Sequence, residues 1–323
     1  MGHAKRTVVL CLILAGIVVL APAQQPDLLT RAATHVMVVA HRGGGFFAPE
    51  DTLAAIDLGL EVGVDGVELD VWKTADGHYV LMHDNTVDRT TNGTGEIASL
   101  TLAQIRALEV RWTPEPFVRR SQFPVPPDSD RFRHLRVPTL EEALGRVHAK
   151  AFAMLDLKAE DVEGVARLVV EKGLVGDVIF KVNSVAEGEA VRRVAPDAVL
   201  LGRPDDEQAL DEMLRALRPP IMHLDDKTLK AEIIRRLDQA GTLVWMNTLG
   251  QTDVTALASD TDGLSWLRRL SDELGKWWPA QAQPGLRPYR KLAERGADFI
   301  QTDNLVTVVQ AMSEFRKPAP RPK

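Results

Sequence analysis

Short apolar runs alternate with amphipathic stretches along most of this chain. Val36–Ala40 is a compact apolar run and predicts a buried strand. Leu53, Ile56, Leu58 and Leu60 then recur at helical spacing, up to Gly63. Val67–Val71 alternates apolar with acidic residues, the period of a strand, so Glu68 and Asp70 share one face. A second apolar run, Val80–Met82, follows after Asp76-Gly77, a hairpin turn signal. About eight residues separate the two runs, too few for a parallel crossover. The chain therefore folds back, and a turn centred near Ala75-Asp76 sets His83 opposite Glu68.

Strands are predicted again at 151–157, 178–182, 198–201, 220–224, 242–247 and 298–301. Helices are predicted at 101–108, from Thr139 to Leu144, and at 164–173, 186–195, 205–217 and 228–240. With the return arm of the hairpin left out, eight parallel strands remain, with helices between most of them. The pattern predicts an α/β fold, a (β/α)8 TIM barrel. It carries a turn- and proline-rich insertion over 84–138, after the second-strand hairpin. A long insertion over 248–289 follows the seventh strand. An open doubly wound sheet is the competing architecture, and no G-x-G-x-x-G supports it.

This pattern places chemistry at one end of the barrel. His41, Glu68, Asp70, Asp156, Lys158, Trp245 and Thr302 all fall at the C-terminal ends of predicted strands, where such barrels carry their sites. Paired carboxylates repel unless a cation or a shared proton offsets them, and oxygen ligands suit Ca²⁺ or Mg²⁺. Arg42, beside the Gly43-Gly44-Gly45 run, is a phosphate fork where glycines allow close backbone approach to a ligand. Trp266, Trp277 and Trp278 sit in the long insertion, which reads either as a lid with aromatic walls or as a packed peripheral helix.

Composition changes the picture at the N-terminus. Lys5-Arg6, the apolar stretch to Leu20 and Ala21-Pro22-Ala23 read as a signal peptide over 1–23, cleaved near Ala23. The stretch is too short for a spanning helix. A secreted or periplasmic location follows. A leader (24–35), the barrel domain (36–316) and a disordered tail (317–323) make up the remainder. The sole cysteine, Cys11, lies within the signal, so the mature core stands without disulfides. Loss of Lys5 and Arg6 takes the formal charge from −6 to −8. That balance argues against nucleic acid or an anionic membrane as a general partner, and no stable membrane insertion is expected.

Several motifs stand in order: His41-Arg42-Gly43, Pro49-Glu50-Asp51-Thr52, Gly66–Val71, Thr74–Gly77, His83-Asp84, Arg89–Gly93, Val137–Leu140 and Leu155–Lys158. Together they resemble the glycerophosphodiester phosphodiesterase family of the phosphatidylinositol-phospholipase-C-like superfamily. The resemblance is dense over 36–158 and thin beyond, with Trp245 and Thr302-Asp303 as late echoes. It implies one divalent cation held by Glu68, Asp70 and Asp156, and a phosphodiester gripped by Arg42 and Lys158. It also implies acid–base work divided between His41 and His83, with Glu50 supporting and Trp245 near the substrate. Two departures bear on substrate. Asp51 stands where the family usually has asparagine. Asp156 stands where it usually has glutamate, as in the sphingomyelinase-D relatives. Glycerophosphodiesters are the first substrate reading, a lysolipid (lysophospholipase D) the second. A non-catalytic ligand-binding barrel is the third, and two intact histidines weigh against it.

Overall fold

A computed structural model describes residues 28–44, 47–112, 130–158, 161–225, 228–248, 287–313 and 315. The barrel strands are β1 (Met37–Ala40), β2 (Gly66–Lys73), β4 (Phe152–Leu157), β5 (Val178–Val182), β6 (Val199–Gly202), β7 (Ile221–Leu224), β8 (Leu243–Thr248) and β9 (Phe299–Thr302). Neighbours pair in parallel around the ring, and the β1–β2 and β1–β9 pairings close it. The remaining strand, β3 (Tyr79–Leu81), is the antiparallel return arm on β2.

The helices form where caps and turns specify them. In α2 (Leu53–Val62), Thr52 accepts from Ala55 N–H, and Gly63 closes the helix at φ 90°. Both α3 (Leu102–Ala107) and α4 (Leu140–Val147) open with capping boxes, Thr101/Gln104 and Thr139/Glu142. Capped by Asp161, Ser184 and Asp206 in turn are α5 (Val162–Glu171), α6 (Val185–Val194) and α7 (Glu207–Ala216). In α8 (Ala231–Ala240) the start lies three residues later than the sequence pattern, because the N–H groups of Thr228 and Leu229 donate to Asp225 O and Thr228 Oγ1 accepts from Asp225 N–H. The chain ends in α9 (Arg287–Glu294) and α10 (Leu305–Ser313).

Strand alternation sorts the barrel into two cores. Outward residues such as Val38, Leu69, Leu155 and Phe180 pack under the helices with Ile56, Leu144 and Val165. Inward residues fill the barrel: Met37, Val39, Phe152, Met154, Ile179, Leu201, Ile221, Trp245 and Phe299. Phe299 stacks on Trp245 at 5.2 Å and meets Phe152 edge-on at 6.0 Å. Gly66 pairs with Phe152, and a Cβ there would come within 2.3 Å of its ring. The missing side chain is the space that the phenylalanine fills.

The expected leader holds a helix, α1 (Leu28–Thr34), whose Ala32 is fully buried at the foot of the barrel. Arg31 reaches Asp65 at 2.6 Å, and Asp65 accepts from Val38 N–H at 2.9 Å. The hairpin insertion has a small core of its own, including Val80, Met82, Ile97, Ile105 and Val137. One register differs from the sequence reading. Val71 pairs with Leu81, and Met82 N–H donates to Asp70 O, so the turn centres on Asp76 and His83 lies level with Leu69. The expected signal peptide, the insertion tryptophans and the tail lie outside the described residues. Among the described residues no helix is long and apolar enough to cross a membrane.

Gly66→Ala tests the filled interior. It is expected to cost about 1–3 kcal/mol of stability by overpacking, read from chemical denaturation, and Phe152→Leu in the same chain should recover part of it.

Candidate active site

Above the apolar interior the inward positions turn polar. Val67 and Leu69 face the helices, so Glu68 and Asp70 face the barrel mouth, and Asp70 pairs in register with Asp156 and Asp156 with Lys181. Ligand atoms of Glu68, Asp70 and Asp156 all lie within 4.8 Å of one another, with Glu68 and Asp70 almost wholly buried. Neither carboxylate oxygen of Asp70 accepts a hydrogen bond from the described residues, although Lys158 Nζ approaches Oδ1 at 3.0 Å. Burial, followed by the charge of Asp70, pushes Glu68 up to about 8. Asp156 is the opposite case. Burial would raise it, but Lys181 and Lys158, both on Oδ2 at 2.6 and 2.7 Å, bring it down to about 2. Three converging carboxylates, including a buried Asp70 that pairs only with the Lys158 ammonium and the Arg42 guanidinium among the described residues, fit a hard divalent cation.

The β1 turn supplies the cationic side. Arg42, at φ 49°, donates its backbone N–H to Glu68 Oε2 at 2.8 Å. Its side chain lies between Glu50 Oε1 at 3.0 Å and Asp70 Oδ2 at 3.6 Å. Asp51, at φ 54°, is buried, accepts from Asp70 N–H at 3.3 Å and leaves Oδ2 unpartnered. Burial and the Asp70 charge hold its carboxyl well above the usual range. Gly44 serves packing: a Cβ there would come within 2.9 Å of the Ala48 and Ala55 side chains.

Each histidine places Nδ1 on a carboxylate. His41 Nδ1 is 2.8 Å from Asp303 Oδ1, and its Nε2 is 4.0 Å from Glu68 Oε2. Burial would lower this imidazole, but Asp303 and then Glu68 outweigh it and hold it above its ordinary value. His83 Nδ1 is 2.9 Å from Asp84 Oδ1. Arg89 grips Asp84 through Nε at 2.7 Å and Glu50 through both terminal nitrogens at 2.9 and 2.6 Å. A chain of polar contacts therefore runs His83–Asp84–Arg89–Glu50–Arg42–Asp70, alternating in charge from Asp84 onward.

The structure brings His41, Arg42, Glu50, Glu68, Asp70, Asp156 and Lys158 together at one mouth, with His83 joined through the ion chain. Trp245 is different. Its ring is fully buried in the barrel interior, its N–H shared between Asn247 and Gln301, so it forms the floor beneath the site and has no surface to offer a substrate. The sequence reading passed over Asp84, Arg89 and Asp303 as partners. It gave no role to Lys181, a lysine two residues from Ile179 on the expected strand 178–182.

A family model described as the glycerophosphoryl diester phosphodiesterase family matches residues 41–264, more than half of the chain. The chain belongs to the glycerophosphoryl diester phosphodiesterase family. It is 44% identical over 124 residues to glycerophosphodiester phosphodiesterase 1 of Mus musculus, covering 38% of this chain and 34% of that one. The first curated relatives, from Bacillus subtilis, Mycobacterium tuberculosis and Mus musculus, are matched over 58%, 28% and 34% of their own lengths. The crystal structure of glycerophosphodiester phosphodiesterase from Agrobacterium tumefaciens superposes with a TM-score of 0.63 at 26% identity, over 85% of this chain and 99% of that one. An Oleispira antarctica phosphodiesterase in complex with the product sn-glycerol-3-phosphate has the same fold, with a TM-score of 0.62 at 20% identity, over 87% and 98%.

In this family member the raised Glu68 has a thermodynamic consequence. Its folded pKa lies above its unfolded one, so between roughly pH 5 and 8 the folded state holds the extra proton and loses stability as pH rises. Cation-free protein should show a falling melting temperature across that window. A saturating divalent cation, or Glu68→Gln, should flatten the profile.

Proposed function

We propose that this chain is a secreted, cation-dependent phosphodiesterase that cleaves glycerophosphodiesters to glycerol 3-phosphate and an alcohol. The observation that carries the reading is the mouth itself: three clustered carboxylates with His41 beside Glu68 and His83 tied in through Asp84, Arg89 and Glu50, each histidine with Nδ1 on its own carboxylate. Family membership supports it, and so does the product held by the Oleispira antarctica relative.

A cation held by Glu68, Asp70 and Asp156, Ca²⁺ or Mg²⁺, would polarise the phosphodiester and offset charge developing on its oxygens. Arg42 and Lys158 orient the same phosphoryl group through charge-assisted hydrogen bonds. With Nδ1–H donated to Asp303, His41 keeps Nε2 on the side of the carboxylates; with Nδ1 on Asp84, His83 has no hydrogen bond to Nε2 among the described residues. One histidine takes the proton of the attacking hydroxyl or water, and the other protonates the leaving alkoxide. Lys5-Arg6, the apolar run and Ala21-Pro22-Ala23 support export with cleavage near Ala23.

Steady-state rates on glycerophosphocholine and on the lysolipid with the same headgroup test the substrate. A preference for the first supports this reading, a preference for the second makes the chain a lysophospholipase D, and activity on neither refutes both. Chelation by EDTA should abolish activity reversibly. His41→Ala and His83→Ala should each lower kcat by about 10²–10⁴-fold with the cation still bound. A p-nitrophenolate leaving group, which needs no proton, should partly rescue only the variant lacking the acid. Loss of cation in both variants would make the histidines ligands instead.

A further inference from the structure

The side of the mouth facing away from β1–β2 carries a second polar group that the phosphoryl chemistry does not use. It lies on three successive strands. Lys181 on β5 follows Ile179 by two residues, and Ile179 fills the barrel interior. Arg203 follows Leu201 by two and extends β6, its N–H donating to Val182 O at 2.8 Å. His223 on β7 follows Ile221 by two. Strand alternation thus turns all three toward the mouth.

His223 is the anomaly among them. It is 6% exposed, and Nδ1 is fully buried with no partner among the described residues. An unmade buried hydrogen bond of this kind costs stability unless a ligand completes it. Burial, followed by the charges of Lys181 and Arg203, pushes this imidazole down to about 3. It is therefore neutral at physiological pH, with one nitrogen to donate and one to accept. That pairing matches a hydroxyl. Beside it, Lys181 is held by Asp156, and Arg203 Nη1 lies 3.4 Å from Asp205. Both side chains present N–H donors, and donors suit oxygen-rich ligands. A quaternary ammonium offers no hydrogen-bonding group; because Asp156, Asp205 and Asp225 pair with Lys181 and Arg203, hydrogen bonding makes the distinction.

We propose that Lys181, Arg203 and His223 form a subsite for the alcohol half of the diester, one that selects a hydroxyl-rich alcohol over a quaternary ammonium. This deepens the phosphodiesterase reading and rests on the same mouth, because the phosphoryl group on the carboxylate side sets where the alcohol lies.

Calorimetric titration of the cation-loaded full chain tests the subsite without turnover. The probes are inositol 1-phosphate and phosphocholine, whose phosphates share the carboxylate side and whose alcohols differ. Wild type is expected to bind inositol 1-phosphate at least tenfold more tightly. His223→Leu should narrow that ratio to within about threefold, the size of one or two lost hydrogen bonds. His223→Gln, which keeps a donor and an acceptor, should hold it. Arg203→Gln supplies a second, more exposed position and should also narrow it. Equal binding by wild type, a preference for phosphocholine, or an unchanged ratio in His223→Leu or Arg203→Gln would overturn the subsite. The two readings fail separately. If the binding ratio behaves as expected while neither glycerophosphoinositol nor glycerophosphocholine is cleaved, the subsite stands and the phosphodiesterase reading falls.

Discussion

Mutual repulsion among Glu68, Asp70 and Asp156 is the constraint around which the barrel mouth is arranged. Three carboxylates within 4.8 Å, removed from water, cannot all stay ionised without compensation. The chain compensates unevenly. Asp156 receives two lysines on one oxygen, Glu68 receives one backbone N–H, and Asp70 has a lysine and an arginine nearby and no hydrogen bond to either oxygen. The uneven supply makes a gradient across the cluster. A carboxylate secured by protein cations lies at one side, and two that are incompletely satisfied lie at the other. The unsatisfied side is the one flanked by Arg42 and His41.

The closed barrel is what makes such a cluster tolerable. Below it lies a dry plug of aromatic and aliphatic side chains, completed by a glycine opposite Phe152. The plug keeps the strands in register, and register alone sets which carboxylates meet. A slip by one residue would turn Glu68 and Asp70 toward the helices. Trp245 belongs to this foundation. Its N–H is tied to Asn247 and Gln301, so the apolar floor ends in a polar seam directly below the site.

Much of this was legible along the chain, for identifiable reasons. The alternation Val67–Val71 gave the shared face of Glu68 and Asp70, and the spacing of Asp156 and Lys158 gave theirs, because period-two geometry is local. Helix starts followed from Thr101, Thr139 and the glutamates after Thr139, which are local signals too. What escaped the reading was set by distance in sequence or by register. The His41–Asp303 contact joins opposite ends of the barrel sequence, and no local pattern announces it. His83 came out one position off because the turn centres on Asp76. Trp245 was expected at the end of its strand, but β8 runs on to Thr248, so Trp245 lies mid-strand, level with Phe299 in the packed interior. The α1 helix is too short for its periodicity to stand out from a leader.

The two histidines are held by unlike means, and this divides the site into parts of different robustness. His41 extends a barrel strand, its N–H bonded to Thr302 O, and its carboxylate partner is itself buried. His83 lies beyond the end of β3 and depends on a relay through Arg89, a side chain 48% exposed. Ions and denaturants in solution reach the second arrangement before the first. Partial damage to this molecule therefore has a direction: the His83–Asp84–Arg89 arm can come adrift while the barrel, the carboxylates and the His41 imidazole remain assembled.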